Sequence, residues 1–493
     1  MRTNRAGGHE MIRDLKPYPA YKDSGVPWLG KVPEHWEVRR VKTLFREKDQ
    51  RNGDGCRVLL SLTRTRGIVP QAEASNRIAS VVDLSKYKVC YPRDLVMNRM
   101  QAWSGMFAVS SQDGLVSPDY CVFENIEPSD VKYFEYLFKT PLLVDQFAQY
   151  SKGIGSGFNR LYTPDFGAVS VSVPPLSEQS AIVRSLNHID RRIRHSINAK
   201  QKLIKLLEEQ KQAIIFQAVT RGLDPNVRLK PSGVEWLGEV PEHWDVWQIR
   251  HFARVGNGST PSRGNAAYWV NGTYPWINSG CVNQGLIQSA DQFVTEKALG
   301  ECHLPRVPSG SVLVAITGQG KTRGTAAILG VEATINQHIA FVTPKRNVVS
   351  AEYLQLAFKA AYRELRRISD DAGSTKGALT CEDISHFKVA LPPLKEQGLL
   401  ISAIRRELQT IEVIITTTQR EISLLKEYRT RLIADVVTGK LDARDVAANL
   451  PDEAGEPEPL DDVDSLTEDE LSAEVVDLDV EDEEGEGSSG RDT

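Results

Sequence analysis

The chain has 493 residues, 41% of them apolar, and a formal net charge of −5. That length allows several domains with sizeable cores. Six scattered cysteines (Cys56, Cys90, Cys121, Cys281, Cys302, Cys381) suggest neither a zinc cluster nor a disulfide framework and fit a reducing cytosol. The polar start "MRTNRAGGHE" lacks the apolar core of a signal peptide, and no apolar run approaches a membrane span, so a cytoplasmic protein is expected.

Residues 1–17 read as a polar N-terminal tail. "SGVPWLGKVPEHW" then runs from Ser24 to Trp36, and it returns as "SGVEWLGEVPEHW" from Ser232 to Trp244. Two further pairs follow in the same order. "VPPLSEQ" (Val173–Gln179) matches "LPPLKEQ" (Leu391–Gln397), and "VTRGLD" (Val219–Asp224) matches "VTGKLD" (Val437–Asp442). The chain is therefore two copies of one unit of about 210 residues, a duplicated domain pair rather than a solenoid.

In each copy the first part reads as mixed α/β, over about 18–175 and 226–393. Strand-like runs such as "DYCVFEN" and "SVLVAIT" alternate with turns. Helical runs, "KYFEYLFKTPLLVDQFAQY" and "AEYLQLAFKAAYRELRRI", stand at matching places. Each is followed by a glycine-rich loop of different sequence, "KGIGSGFNRL" (Lys152–Leu161) and "DAGSTKGALT" (Asp371–Thr380). One architecture with two specificities is the expectation.

The second part of each copy, 176–225 and 394–445, predicts a long amphipathic helix. Apolar residues fall at Ile182, Leu186, Ile189, Ile193, Ile197, Ile204 and Leu207. In the other copy they fall at Ile404, Leu408, Ile411, Ile415, Ile422, Leu425 and Leu432. The mean step near 3.5 favours a coiled-coil seam. Pro174 and Pro175 block an earlier start, and Gly222 and Gly439 stand where a stop is expected. Each helix should hold roughly 40 residues, about 60 Å at 1.5 Å per residue. Such stripes are too long for one small domain to cover, so the two helices are expected to pair.

Charge is unevenly held. From Val446 onward there are 19 acidic residues and one basic residue, Arg491, so the remaining body carries +13. A basic body suits a polyanion, and the composition of the tail, 446–493, predicts disorder.

Catalytic patterns are missing. "SVLVAITGQGKT" (Ser311–Thr322) imitates a phosphate loop, but that motif requires glycine at position 315, where Ala315 stands. It must also open a helix, and "RGTAAILGVEATI" reads as turn and strand. The matching stretch of copy one, "DLVMNRMQAWSGMFAVS", has no such character. No zinc motif or glycine-flanked nucleophilic serine is found. His35 and His243 sit between proline and tryptophan, and a structural corner anchored by Trp36 and Trp244 is the preferred reading.

The "VPEHWEV" openings, "SPDY" (Ser117–Tyr120), "INQHIA" (Ile335–Ala340), the two "PPLxEQ" starts and the "VTRGLD" and "VTGKLD" ends, in that order and duplicated, resemble the specificity subunit of type I restriction-modification systems. The resemblance spans about Tyr18 to Arg444. It implies a non-catalytic chain with two target recognition domains in tandem, of α/β (α+β) fold, each reading half of a bipartite, asymmetric site in double-stranded DNA. It implies that the two helical regions pair as an antiparallel coiled coil and act as a spacer. It also implies partners: methyltransferase subunits, which bind S-adenosylmethionine and methylate adenine, and restriction subunits, which use ATP and Mg. No cofactor is expected on this chain itself.

Two heads on one face of B-DNA should lie about one helical turn apart, near 34–36 Å. Base reading needs Arg, Lys, Asn or Gln, and phosphate contacts need Lys, Arg, Ser or backbone amides. Candidates in the first head are Arg99, Gln101, Lys152, Ser156, Asn159 and Arg160. Those in the second are Ser259, Thr260, Arg263, Asn278, Lys321, Arg323 and Lys376. The rival readings are a self-contained restriction or modification enzyme, whose motifs are not found, and a non-restriction DNA-binding protein. The acidic tail departs from the family pattern. It reads either as a solubilising extension or as a competitor with DNA for basic surface.

Overall fold

The computed structural model describes residues 15–53, 57–74, 84–153, 159–318, 322–371 and 377–450. The tail expected to be disordered from 446 begins later: Arg444–Ala448 is a helix, and Val446, Ala447 and Leu450 are buried. The residues past Leu450 and the centres of both glycine-rich loops lie outside the described ones. Two long helices dominate the description: Leu176–Arg221, of 46 residues, and Leu394–Val437, of 44. Both begin directly after their Pro-Pro pair, because a residue before proline is driven out of the helical region. The chain divides into two compact units, residues 1–201 with 420–493 and residues 202–419. This division does not follow the repeat. It cuts both long helices, so each unit holds one head, the near part of one helix and the far part of the other.

In the first unit the helices run antiparallel. Asp190 meets Arg429, and Lys200 meets Glu421 at 2.5 Å, so advancing along one helix means retreating along the other. The expected stripe is the seam: Ile182, Leu186, Ile189, Ile193 and Ile197 are all buried, as are Ile422 and Leu432. In the second unit Lys211 meets Glu412 at 3.4 Å. There Ile215, Ala218 and Val219 share a core with Leu400 and Ile404.

The head of the first unit is built on an antiparallel sheet with strand order Phe45–Lys48, Tyr120–Asn125, Leu95–Asn98, Phe107–Val109. Its central strand is fixed in register by Tyr120 opposite Asn98 and Val122 opposite Lys48. Val131–Phe138 and Pro141–Tyr150 are the helices predicted from the "KYFEYLF" run, with Asp130 and Thr140 as N-caps. Phe107, Phe138, Phe147 and Phe166 pack with ring centroids 5.1–5.7 Å apart.

The head of the second unit repeats the sheet order as Ala253–Asn257, Ile339–Pro344, Val312–Ala315, Ala326–Leu329. It adds Leu286–Ile287, parallel to the last strand. A further three-stranded sheet, Gln292–Val294, Tyr274–Ile277, Thr334–Ile335, is present here. After the imitation phosphate loop a turn at 322–324 leads into the strand Ala326–Leu329, and no helix opens there among the described residues.

The repeated strings are two halves of one clasp. In the first unit Trp36 is fully buried, and its indole donates to Glu178 Oε1 at 2.9 Å. His35 Nε2 lies 2.7 Å from Glu178 Oε2, and the Tyr18 hydroxyl donates to the same carboxylate at 2.5 Å. In the second unit Trp244 donates to Glu396 at 3.1 Å, and His243 lies 2.9 Å from it. "PEHW" is thus the structural corner expected, and the acid it uses belongs to "PPLxEQ". The adjacent glutamines complete the joint. Gln179 accepts from Asp130 N and donates to Pro174 O, while Gln397 accepts from Ser350 N and donates to Pro392 O.

The helix ends close each clasp from the other repeat. In the first unit the Tyr133 hydroxyl donates toward the carbonyls of Ser172 (3.1 Å) and Val437 (3.0 Å), and Gly439 lies against Pro33 and Trp36. In the second unit the Tyr353 hydroxyl donates to Ala390 O (2.9 Å) and lies 3.5 Å from Val219 O, with Gly222 against Trp244. Burial pushes both phenols far up, so they stay donors at any working pH.

Candidate nucleic-acid interface

In each head the core strands end in loops that meet the segment following the glycine-rich loop. In the first unit Leu161 N donates to Arg99 O at 3.1 Å. In the second, Leu379 N donates to Ile316 O at 2.8 Å. These matching bonds hold different residues in the two heads.

In the first unit they bring together most of the expected set. Arg99 donates to Cys121 Sγ at 3.2 Å and stands 4.0 Å from Glu47. Burial raises the Glu47 carboxyl, but hydrogen bonds from Thr163 and Cys121 and the charge of Lys88 outweigh it and hold the group low. Arg99 is therefore backed by a fixed negative charge. Gln101 is exposed and accepts from Asn98 Nδ2 at 3.1 Å. Lys152 and Arg160 exchange backbone bonds of 2.9 Å, and the Arg160 guanidinium lies 4.0 Å from Met100 Sδ. Lys152 Nζ meets Asp165 at 2.8 Å, and Asn159 is half-buried beside Arg160. Ser156 lies outside the described residues. Sequence reasoning missed Arg64, which donates to Ser104, and the exposed aromatics Trp103 and Tyr162. Arginine interleaved with exposed rings was the signal that could have found them.

In the second unit the loop 258–265 is pinned by two indoles. Trp276 donates to Ser259 O at 3.2 Å and Trp269 to Ser262 O at 3.1 Å. Arg263 lies over both rings, 4.0 Å from the Trp269 centroid and 5.1 Å from that of Trp276. Cation–π contact of this kind presents an arginine in one orientation. Gly258 permits the fold of the loop: a Cβ there would sit 1.7 Å from Ile335 O. Thr260 donates to Gln337 Oε1 at 2.5 Å, and the Ser259 hydroxyl reaches Cys302 O at 3.3 Å.

Gln337 and His338, part of "INQHIA", stand beside this loop and were not among the expected residues. The Gln337 amide lies 3.1 Å from His338 Nε2, and His338 Nδ1 lies 2.7 Å from Thr317 Oγ1.

One expected contact turns out to be internal. Arg323 is 4% exposed, and its guanidinium is taken by Asp370 and the Gly377 carbonyl. A buried charge needs a partner more than it needs a distant phosphate, so Arg323 braces the head rather than standing on its surface. Asn278 spends its Oδ1 on Gly280 N at 3.0 Å as a helix cap. Lys321 and Lys376 lie outside the described residues.

The sequence matches the type I restriction modification DNA specificity domain over residues 70–206 and 241–423. The chain belongs to that family. It is 22% identical over 447 residues to a putative type I restriction enzyme MjaX specificity subunit of Methanocaldococcus jannaschii, covering 84% of this chain and 95% of the relative. It is 23% identical over 209 residues to the EcoR124I/EcoR124II specificity subunit of Escherichia coli, covering 42% and 48%. A chain from a structure of a type I R-M system, studied for complex assembly and conformational transition, superposes with TM-score 0.61. That superposition has 16% identity and covers 82% of this chain and 98% of the other. The tandem heads, the paired long helices and the DNA-recognition role fit this specificity-subunit family.

Proposed function

We propose that this chain is the non-catalytic reader of a cytoplasmic type I restriction-modification complex. The first head reads one half of a split, asymmetric duplex site and the second head the other. Methyltransferase and restriction subunits dock on the chain, and S-adenosylmethionine, ATP and Mg belong to those partners. The observation that carries the reading is a common clasp with different tips. Trp36–Glu178 and Trp244–Glu396 are the same device, whereas Arg99 on Cys121 and Arg263 on two tryptophans are not.

Co-expression with an adenine methyltransferase subunit, in a host lacking adenine methylation, tests it by mapping modified adenines. A split motif is expected. Replacing residues 230–390 should change only one half of it, and Arg263→Ala should weaken that same half by about tenfold, the worth of one base or phosphate contact. A continuous or palindromic motif would overturn the two-reader assignment. Methylation by this chain alone would overturn the non-catalytic one.

A further inference from the structure

Gln337 is an exposed side chain of the second head whose amide is only half engaged. Its Oε1 accepts from the Thr260 hydroxyl at 2.5 Å, and its Nε2 lies 3.1 Å from His338 Nε2. An amide nitrogen has no lone pair to offer, so Gln337 Nε2 donates in the second bond and His338 Nε2 accepts. The imidazole proton then sits on Nδ1 and is donated to Thr317 Oγ1 at 2.7 Å. One N–H and one lone pair of Oε1 are left over on the exposed side chain. Turning the amide over would exchange the two neighbours, with His338 donating from Nε2 and Thr260 accepting. It would still leave one donor and one acceptor outward.

The amide is held from both sides of the tip. Thr260 belongs to the loop 258–265, which carries Arg263 on its two tryptophans. His338 O accepts from Ile316 N at 3.0 Å, and Ile316 O accepts from Leu379 N at 2.8 Å, which ties the turn to the segment after the glycine-rich loop. The first head makes the same turn without the amide. Tyr120 opposite Asn98 corresponds to Ile339 opposite Ala315, which puts Pro118 where Gln337 stands. Ser117 Oγ accepts from Asp119 N at 3.4 Å there, as Asn336 Oδ1 accepts from His338 N at 3.1 Å here. Proline offers no side-chain donor or acceptor. The turn is therefore shared frame, and the amide is peculiar to the second head.

We propose that Gln337 reads one adenine of the second head's half-site. Its outward N–H donates to the adenine N7, and its outward oxygen accepts from the N6 amino group. That is the bidentate contact by which glutamine distinguishes adenine in the major groove. Thr260 and His338 are positioning residues. By fixing the amide before DNA arrives, they remove the ordering cost that a long exposed side chain otherwise meets on binding. The proposal rests on the DNA-reading role given above and assigns one residue and one base within it.

The methylation map of the co-expressed complex tests it. Gln337→Glu keeps both neighbours, because His338 can carry its proton on Nε2 while Thr317 donates to Nδ1. It loses only the outward N–H, and its acceptors suit the amino group of cytosine instead. At one position, in the half that changes when residues 230–390 are replaced, the preference for adenine should fall about tenfold and cytosine should gain. The other positions should stay as they are. Gln337→Met, of similar length and without a donor, should leave that one position unread, and it decides alone if the charged variant does not assemble. Thr260→Val should relax the same position and spare the rest. A split wild-type motif that the Gln337 variants leave unchanged would overturn the assignment and leave the two-reader function standing. A wild-type map without a split motif would overturn both. Weaker methylation at every site alike, with the complex intact, would make Gln337 a frame or phosphate contact and overturn its reading of a base.

Discussion

The two heads agree where they touch the helices and differ where they face outward. Both close a buried tryptophan on the first-turn glutamate of a long helix, and both lay a buried tyrosine across a helix end. Above that frame they part. The first head fills its interior with phenylalanine, and Phe166 stands in the short helix Thr163–Ala168 where the second head has Ile384 in Cys381–His386. The second head adds a sheet and a pair of tryptophans, with centroids 5.3 Å apart, to hold Arg263. Joints to a shared rod tolerate little change, because a clasp of hydrogen bonds fails when one member is lost. Cores tolerate exchange when volume and apolarity are kept.

The largest expected effect tests whether the two clasps are equal. Glu178 is 4% exposed and serves Trp36, His35 and Tyr18. The Glu396 side chain is 30% exposed and serves Trp244 and His243. Glu178→Ala should therefore cost about 3–5 kcal/mol by stranding buried donors. Glu396→Ala should cost about 1–2 kcal/mol, because water reaches what is left. Hydrogen exchange read separately in each unit measures both, and equal losses would show that burial does not rank the clasps.

The helix-stop glycines should rank next. Both have positive φ, +79° at Gly439 and +75° at Gly222, so alanine pays roughly 1–2 kcal/mol at either for the left-handed conformation. A Cβ on Gly439 would also sit 2.5 Å from Pro33 and 3.0 Å from Trp36, whereas one on Gly222 would find Trp244 at 3.4 Å. Gly439→Ala should thus lose about 1–3 kcal/mol more than Gly222→Ala by overpacking. The difference in urea midpoint between the two variants checks it.

Repetition made the frame legible. "PEHW", "PPLxEQ" and the helix ends recur in order, and the spacing of Ile182, Leu186 and Ile189 declared the seam. That Glu178 answers Trp36 could not be read, because the two stand 142 residues apart and sequence order is silent on which polar group meets which. The tips were harder still. Arg323 carries the same charge as Arg263, and only the fold shows one sunk against Asp370 and the other lying on tryptophan. Gln337 was hidden inside a string read for resemblance, and nothing local marks it as the partner of Thr260.

A third contrast lies at one turn of matching helices. After Tyr133 comes Glu135, and after Tyr353, at the same spacing, comes Gln355. Glu135 is buried, accepts from Val109 N at 2.9 Å and meets Lys132 and Lys139, each at 2.8 Å. Gln355 gives neutral bonds to Gly285 O and Ala326 O. Burial raises the Glu135 carboxyl, but Lys139 and Lys132 overbalance it and hold the folded value below the ordinary range. A carboxyl depressed on folding stabilises the fold above its unfolded value, near 4.3. That contribution is lost as pH falls through the folded value. The first head should therefore lose stability on acidification, as the pH falls below the unfolded value and through the folded one, and Glu135→Gln should flatten that response. Acid titration followed by circular dichroism in the wild type and the variant decides it; an unchanged acid limb would remove Glu135 as the cause.

The smallest expected effect concerns the helix pair. Lys200–Glu421 in the first unit closes to 2.5 Å and Lys211–Glu412 in the second to 3.4 Å, which invites the view that the first unit is the more firmly zipped. Exposure argues otherwise. The carboxylates are 50% and 58% exposed, so solvent screens both pairs and each side chain gives up rotamer freedom to hold its place. Double-mutant cycles to alanine should return a coupling of about 0.2–1 kcal/mol for either pair, with no difference that tracks distance, and both should shrink in high salt. A coupling well above that range at Lys200 alone would mean that the helix pairing draws on charge as well as on the isoleucine seam.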